Sequence, residues 1–370
     1  MALIFIFIDH IPYNVLSYFT LQNVMMFDAA EVFIFISGFT AALVYGRRLA
    51  TKGAIYATAQ VWRRAWQLYV AHVFLFVLFI AEVSYTAATF HNPMYNEEMR
   101  IAAFLDEPYV AVIKALTLEF QPAFLDILPT YIVMLLVFPA VLLAMRRHWL
   151  LVFVPSLLLY LAVQIFGLAV PAYPAGRVWY FNPLAWQFLF VAGAVLAHRA
   201  VHGGGFARLS RLVYPLALAI FVASVVIRVS WTLHGFWDAV PPLFHKELWP
   251  ADKNNLSPIR LVPFCALVVL VAIHVRGDAR FLASAWARPL VRCGQQSLEI
   301  FCLGILLSAL GRFALSEYGY GIPNQLVVNA IGILIMLLTA WLIDWYRVLD
   351  RAPALRPVMA ETGRDRGAAE

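Results

Sequence analysis

Asp9 and His10 stand side by side inside the first apolar stretch of the chain, between Met1–Ile8 and Ile11–Leu21. A helix rises about 1.5 Å per residue, which would put His10 roughly 14 Å from its start, near the middle of a bilayer. An ionisable group at that depth costs about 2.5–3.5 kcal/mol to insert, so a purpose is the default expectation. The plain purpose is a polar pair that joins helices. The sharper one is a membrane-embedded base, His10, steered by a carboxylate. Pro12 removes a backbone hydrogen bond and predicts a kink or opening beside His10. Asn14 is four residues on and Ser17 one turn further, so both share the His10 face of a continuous helix. Asp9 lies about 100° round that helix. A carboxylate from another span could therefore hold the imidazole instead.

Glu31 is the candidate for that task, across a short connection. Asp28-x-x-Glu31 also reads as a capping box with Asp28 at the N-cap. Further charges stand at the edges of apolar runs: Asp126 opening the fourth, Arg228 inside the seventh, Arg260 opening the eighth and Arg312 closing the ninth. Asp252 and Lys253 precede Arg260 in Asp-Lys-Asn-Asn. Each basic residue could be a snorkelling anchor; together the charges describe a polar vestibule with internal ion pairs. Glu299, about seven residues into the ninth run, needs a partner or a water-filled cavity. It could line an inner access route or pair with Arg292. There is no GxSxG, Walker loop or HExxH, and no cluster of metal ligands. An intramembrane His with carboxylates and arginines suits acyl transfer, with His taking a proton from an attacking hydroxyl. It equally suits proton-coupled transport.

The elements that position these residues are apolar helices. The 370 residues are 63% hydrophobic and 13% charged, with a mean hydropathy of +0.79; soluble domains carry about 25% charge. The sequence predicts an all-α polytopic bundle of about ten spans, near 1–21, 29–46, 67–89, 124–145, 149–170, 183–200, 212–233, 258–275, 291–312 and 324–346. Most of the 27 Lys and Arg fall in alternate connections, such as Arg47–Lys52, Arg146–Arg147 and Arg276–Arg292, and in the tail. The positive-inside rule makes that side, and both termini, cytoplasmic. The net charge of +6 is thus read as topology, and a nucleic-acid partner is excluded by the apolar composition. Cys265, Cys293 and Cys302 sit in or beside apolar runs and read as small hydrophobes. Outside, 91–123 is long enough for a helix lying on or near the surface. The segment 171–182 carries Tyr173, Arg177, Trp179 and Tyr180, and 234–257 carries His245, Lys246, Glu247 and Trp249. Aromatics beside hydrogen-bonding groups suit a sugar, and also an ordinary interfacial belt. Residues 1–351 read as one membrane domain and 352–370 as a disordered cytoplasmic tail.

Ile-Phe-Ile-Asp-His-Ile-Pro, followed by Asp-Ala-Ala-Glu-Val-Phe-Ile-Phe-Ile-Ser-Gly-Phe, resembles the start of OpgC-type proteins of the acyltransferase-3 superfamily. Asp126-Ile-Leu-Pro, Phe181-Asn-Pro-Leu-Ala-Trp-Gln, Asp252-Lys-Asn-Asn-Leu and Ser297-Leu-Glu-Ile-Phe-Cys extend the resemblance through all ten predicted spans. It implies a bacterial inner-membrane enzyme that succinylates osmoregulated periplasmic glucans. The donor would be a cytoplasmic acyl-CoA, succinyl-CoA by the resemblance, with no bound cofactor and no metal. His10 then matches the histidine acting as general base or transient acyl carrier. Asp9 or Glu31 would hold its tautomer. Arg228 and Arg260 would meet an anionic acyl group or an oxyanion. Asp126, Asp252, Lys253 and Glu299 complete the candidate substrate-binding set. The superfamily pattern places Arg or Lys eleven residues before this His, two positions before Met1. The native chain is therefore expected to extend upstream. A transporter of protons or acylated sugar, and an inactive membrane scaffold, are the alternatives.

Overall fold

The computed structural model describes residues 1–203, 210–235, 237–243, 252–275 and 284–349, with the side chains of 210–212 and 348 left aside. The candidate side chains His245, Lys246, Glu247 and Trp249, the basic residues Arg276 and Arg280, and the predicted tail lie outside the described residues. Helices α1 (Ala2–Asp9), α2 (Leu21–Val24), α3 (Ala29–Lys52) and α4 (Ala54–Thr89) come first. Three short helices follow, α5 (Met94–Glu98), α6 (Ala102–Asp106) and α7 (Pro108–Leu116), then α8 (Ile127–Arg147) and α9 (Leu150–Phe166). A small antiparallel hairpin pairs β1 (Pro171–Ala172) with β2 (Arg177–Val178). The chain continues through α10 (Pro183–Val201), α11 (Ser210–His234), α12 (Pro258–His274), α13 (Ala287–Gln295), α14 (Ser297–Tyr318) and α15 (Ile322–Leu349).

Each predicted span has a helix, with lengths that differ. Among the described residues seven helices, α3, α4, α8, α10, α11, α14 and α15, are long and apolar enough to cross a membrane. The apolar helices α9 and α12 have 17 residues each. The first span departs most: α1 has eight residues and stops at Asp9. Pro12 cannot donate to a continuing ladder, and Tyr13 turns left-handed at φ 57°. A 3-10 turn over Val15–Phe19 then leads into α2. Asn14 consequently does not share a helix face with His10. It caps the 3-10 turn by accepting from Leu16 N and exchanges amide hydrogen bonds with Asn329 of α15 at 2.9 and 3.0 Å. The expected surface helix at 91–123 is three pieces, α5 to α7. Left-handed Arg100 and the proline that opens α7 divide it.

The principal packing is between α3 and α10. Gly38 and Gly193 make it possible. A Cβ at Gly38 would lie 1.9 Å from the Phe190 carbonyl oxygen, and one at Gly193 2.2 Å from that of Phe35. Two backbones therefore touch, the arrangement that small residues permit between membrane helices. In the same way the Phe7 ring of α1 fills the space over Gly332 of α15. This seats α1 against α14 and α15, where Ser308 Oγ also donates to Phe7 O (3.1 Å).

Candidate active site

The N-terminal ends of α3, α8, α10 and α12 gather where α1 ends. Their entry residues are Asp28, Asp126, Asn182 and Ser257. Asp28 and Glu31 form the predicted capping box: Asp28 Oδ1 accepts from Ala30 N (2.8 Å), and Asp28 N donates to Glu31 Oε2 (3.0 Å). The carboxylates are then used a second time. Arg260 donates to Glu31 Oε1 through Nε (2.7 Å), while its Nη2 lies 2.6 Å from that oxygen and 3.0 Å from Asp28 Oδ2. Lys253 Nζ lies 2.7 Å from Asp28 Oδ2. Burial opposes ionisation of Asp28, but Lys253 and Arg260 outweigh it and hold the carboxyl well below its usual range. Burial likewise opposes the Lys253 charge, and Asp28 outweighs that, holding the ammonium above its usual value. Lys253 also sits over the rings of Phe181 (5.4 Å) and Tyr180 (5.8 Å), a cation–π arrangement.

The Lys253 loop is held in place by its own backbone. Trp186 Nε1 donates to the carbonyls of Lys253 (3.0 Å) and Asn254 (3.1 Å). Asn182 Nδ2 donates to Asn255 Oδ1 (2.8 Å), and Tyr160 OH to Leu256 O (2.9 Å). Asp252, a predicted substrate contact, accepts from Asn254 N (2.9 Å) and Asn255 Nδ2 (2.8 Å). Its carboxylate shapes the loop that presents Lys253.

His10 caps the C-terminal end of α1 and stacks on Phe124, ring centroids 4.2 Å apart. Phe124 holds this position from a left-handed backbone, φ 70°, a conformation that costs a bulky residue of order 1–3 kcal/mol. Among the described residues, the buried His10 Nδ1 has no hydrogen-bond partner. The ring lines a cavity of about 50 Å³ with Asp9, Asp28, Asp126, Lys253, Gln22 and Phe301 among its walls. Neither carboxylate expected to hold the imidazole does so. Thr20 Oγ1 donates to Asp9 Oδ1 (2.6 Å), and Glu31 is taken by Arg260 and the Asp28 amide. Both acids had hydrogen-bond donors nearer at hand than a ring on a helix that ends at Asp9.

A second cavity of about 220 Å³ shares Gln22, Asp28 and Lys253 with the first and adds Arg228, Arg260 and Tyr180. Arg228 donates to neutral groups, Gln22 O (2.8 Å) and Asn23 Oδ1 (3.1 Å). A third cavity, about 350 Å³, begins at Met1, Ala2 and Leu3 and contains Arg64. Phe33 on its wall stacks on Phe301 of the His10 cavity, centroids 5.9 Å apart.

Glu299 is not part of this assembly. The ninth predicted span starts later than expected, at Ser297, so Glu299 is in the first turn of α14 and exposed. It pairs with Arg347 (3.2 Å), and Arg292 pairs with Asp344 (3.0 Å). Arg312 lies within α14, not at its end, and pairs with Glu98. Sequence reasoning missed Gln22, Thr20 and Phe124. Nothing local marks a glutamine, a threonine or a left-handed phenylalanine as part of a site. Among the described residues, no group of His, Cys, Asp and Glu is placed to hold a metal ion.

A family model described as OpgC protein matches residues 1–348. The chain belongs to the OpgC family. The match spans every helix of the bundle from α1 into α15, so in this OpgC protein His10, Glu31, Lys253 and Arg260 all lie within the matched region. No curated relative and no solved structure was found to match.

Proposed function

We propose that this OpgC-family protein is a membrane O-acyltransferase. It moves an acyl group, succinyl by the family resemblance, from a cytoplasmic acyl-CoA to hydroxyls of a periplasmic glucan or another exported polysaccharide. The observation that carries the reading is His10: an imidazole whose buried Nδ1 has no hydrogen-bond partner among the described residues, on a cavity that shares Gln22, Asp28 and Lys253 with a cation-lined one. The imidazole accepts the proton of an acceptor hydroxyl as its oxygen attacks the thioester carbonyl. The C–S bond breaks, and the departing thiolate takes the proton from the imidazolium. In a variant of the same chemistry, His10 itself attacks and carries the acyl group before the hydroxyl does. Asp126, on the wall of the same cavity, is a further carboxylate that could serve the imidazolium beside Asp9.

The electropositive surroundings support the same reading. Helix N-termini carry about half a positive charge each and favour anions, and α3, α8, α10 and α12 all start here. Arg228 adds a guanidinium whose hydrogen bonds go to neutral acceptors. An oxyanion, or the terminal carboxylate of a succinyl group, is the complement. The cavity at Met1–Leu3 supports a donor approaching from the other end of the bundle, along α1. The arginine-rich ends of α3 and α8 support a cytoplasmic placement of that end, and hence of both termini in a ten-span arrangement. Aromatic side chains near the opposite face, Tyr173 and Tyr180, suit a sugar acceptor.

The test is mass spectrometry of periplasmic glucans from a deletion strain complemented with wild type or His10→Ala, each confirmed in the membrane. Succinyl mass additions with wild type alone are expected. Acylation retained in His10→Ala would remove His10 from the reaction. Identical unmodified glucans in both would favour transport or another acceptor.

A further inference from the structure

At the opposite end of α3 from Asp28 there is a hollow of about 780 Å³ between the C-terminal ends of α3, α8 and α10. Its walls are apolar, with Leu43, Leu49, Leu142, Met145 and Val201 among them. Its polar groups are Arg47, Arg146, His198 and His202, and among the described residues no carboxylate lines it. The volume is within the roughly 300–1,000 Å³ of small-ligand sites.

The neighbouring arginines show what is unusual about these two. Arg48 donates to Gln60 Oε1 (3.0 Å) and lies over the Tyr45 ring. Arg199 lies over Trp149 at 4.8 Å. Arg47 and Arg146 have no ion pair or side-chain hydrogen bond among the described residues, although both border the hollow. Basic residues at helix C-termini complement the helix dipoles. That accounts for Arg146, in the last turn of α8, but not for Arg47, which precedes the last turn of α3, and it leaves the apolar hollow between them unexplained.

We propose that this hollow holds an anionic phospholipid, with its phosphate at Arg47 and Arg146 and an acyl chain along the apolar wall. Basic pockets between membrane helices take lipid head groups of this kind. The site is separate from the reaction described above. Ala41, Val44 and Tyr45 border the cavity that starts at Met1, whereas Ala42, Leu43 and Gly46 border this one, so α3 stands between them. The proposal is independent of the acyltransferase reading.

The experiment uses the full chain in detergent, its thermal unfolding followed with added phosphatidylglycerol, phosphatidylcholine or inorganic phosphate. Phosphatidylglycerol is expected to raise the midpoint in wild type and in Arg147→Gln, and to lose at least half of that shift in Arg47→Gln/Arg146→Gln. An equal shift from phosphatidylcholine, an undiminished shift in the double variant, or the same shift from inorganic phosphate would overturn the lipid site. Native mass spectrometry of wild type in an equimolar lipid mixture needs no variant. Several-fold enrichment of bound phosphatidylglycerol supports the site, and equal occupancy overturns it.

Discussion

Glu31 is fully buried and yet is not the group that steadies His10, because Arg260 holds it. Taking two charges from water is costly, and the attraction between them repays that only while both remain. Removing one partner of a buried pair typically costs about 3–5 kcal/mol, since the other is left uncompensated. Arg260→Met is therefore expected to lower the thermal midpoint by many degrees and to impair acylation together with folding. Adding Glu31→Gln to Arg260→Met should recover part of the loss, read from the same unfolding curves. Equal midpoints for wild type and Arg260→Met would mean that the pair carries no stability. The contrast with His10→Ala is diagnostic: that variant should lose acylation while unfolding near the wild-type temperature.

At the scale of elements, α3 is the part on which the site depends. Its first turn supplies Asp28 and Glu31, and its middle lies directly on α10, whose first residues hold the Lys253 loop. Gly193→Leu would push a side chain into the Phe35 carbonyl, which is backbone and cannot yield as a flexible side chain would. The expected cost is on the order of 3 kcal/mol, with reduced acylation, measured by unfolding and glucan mass spectrometry. Unchanged values would show that α3 and α10 can part freely. Local patterns made much of this readable in advance. Asp28-x-x-Glu31 announced its capping box, and apolar length announced most helices. The end of α1 was harder, because Ile11–Leu21 continues the apolar run; only Pro12 hinted at it. The pairings of Arg260 with Glu31 and of Asn14 with Asn329 join residues 229 and 315 apart, and no periodicity encodes such partners. Glu299 was misplaced because the apolar signal does not register the break at Gln296 that separates α13 from α14.

For the whole molecule, the helices α3, α8 and α10 all begin at the charged cavity and end in turns that carry basic residues. They therefore run the same way, and their ends mark two faces. A cysteine placed at exposed Lys52 and another at exposed Arg177 should react with a membrane-impermeant maleimide from opposite sides. In intact spheroplasts only the second is expected to label. Labelling of both from outside would refute the proposed orientation.

The distance in sequence between α3 and α12 also governs how the protein is made. Chains emerge at about 5–20 residues per second, so Glu31 is synthesised on the order of ten to fifty seconds before Arg260. Through that interval a nascent chain carries Asp28 and Glu31 into the bilayer without their cations. The insertion machinery, or carboxyl protonation, has to shelter them until α12 arrives. A ribosome-arrested chain ending after α11 should accordingly be more open to proteolysis around α3 than one ending after α12. Completion of the candidate site is thus a late event in biogenesis, set by the translation of a single loop and the helix that follows it.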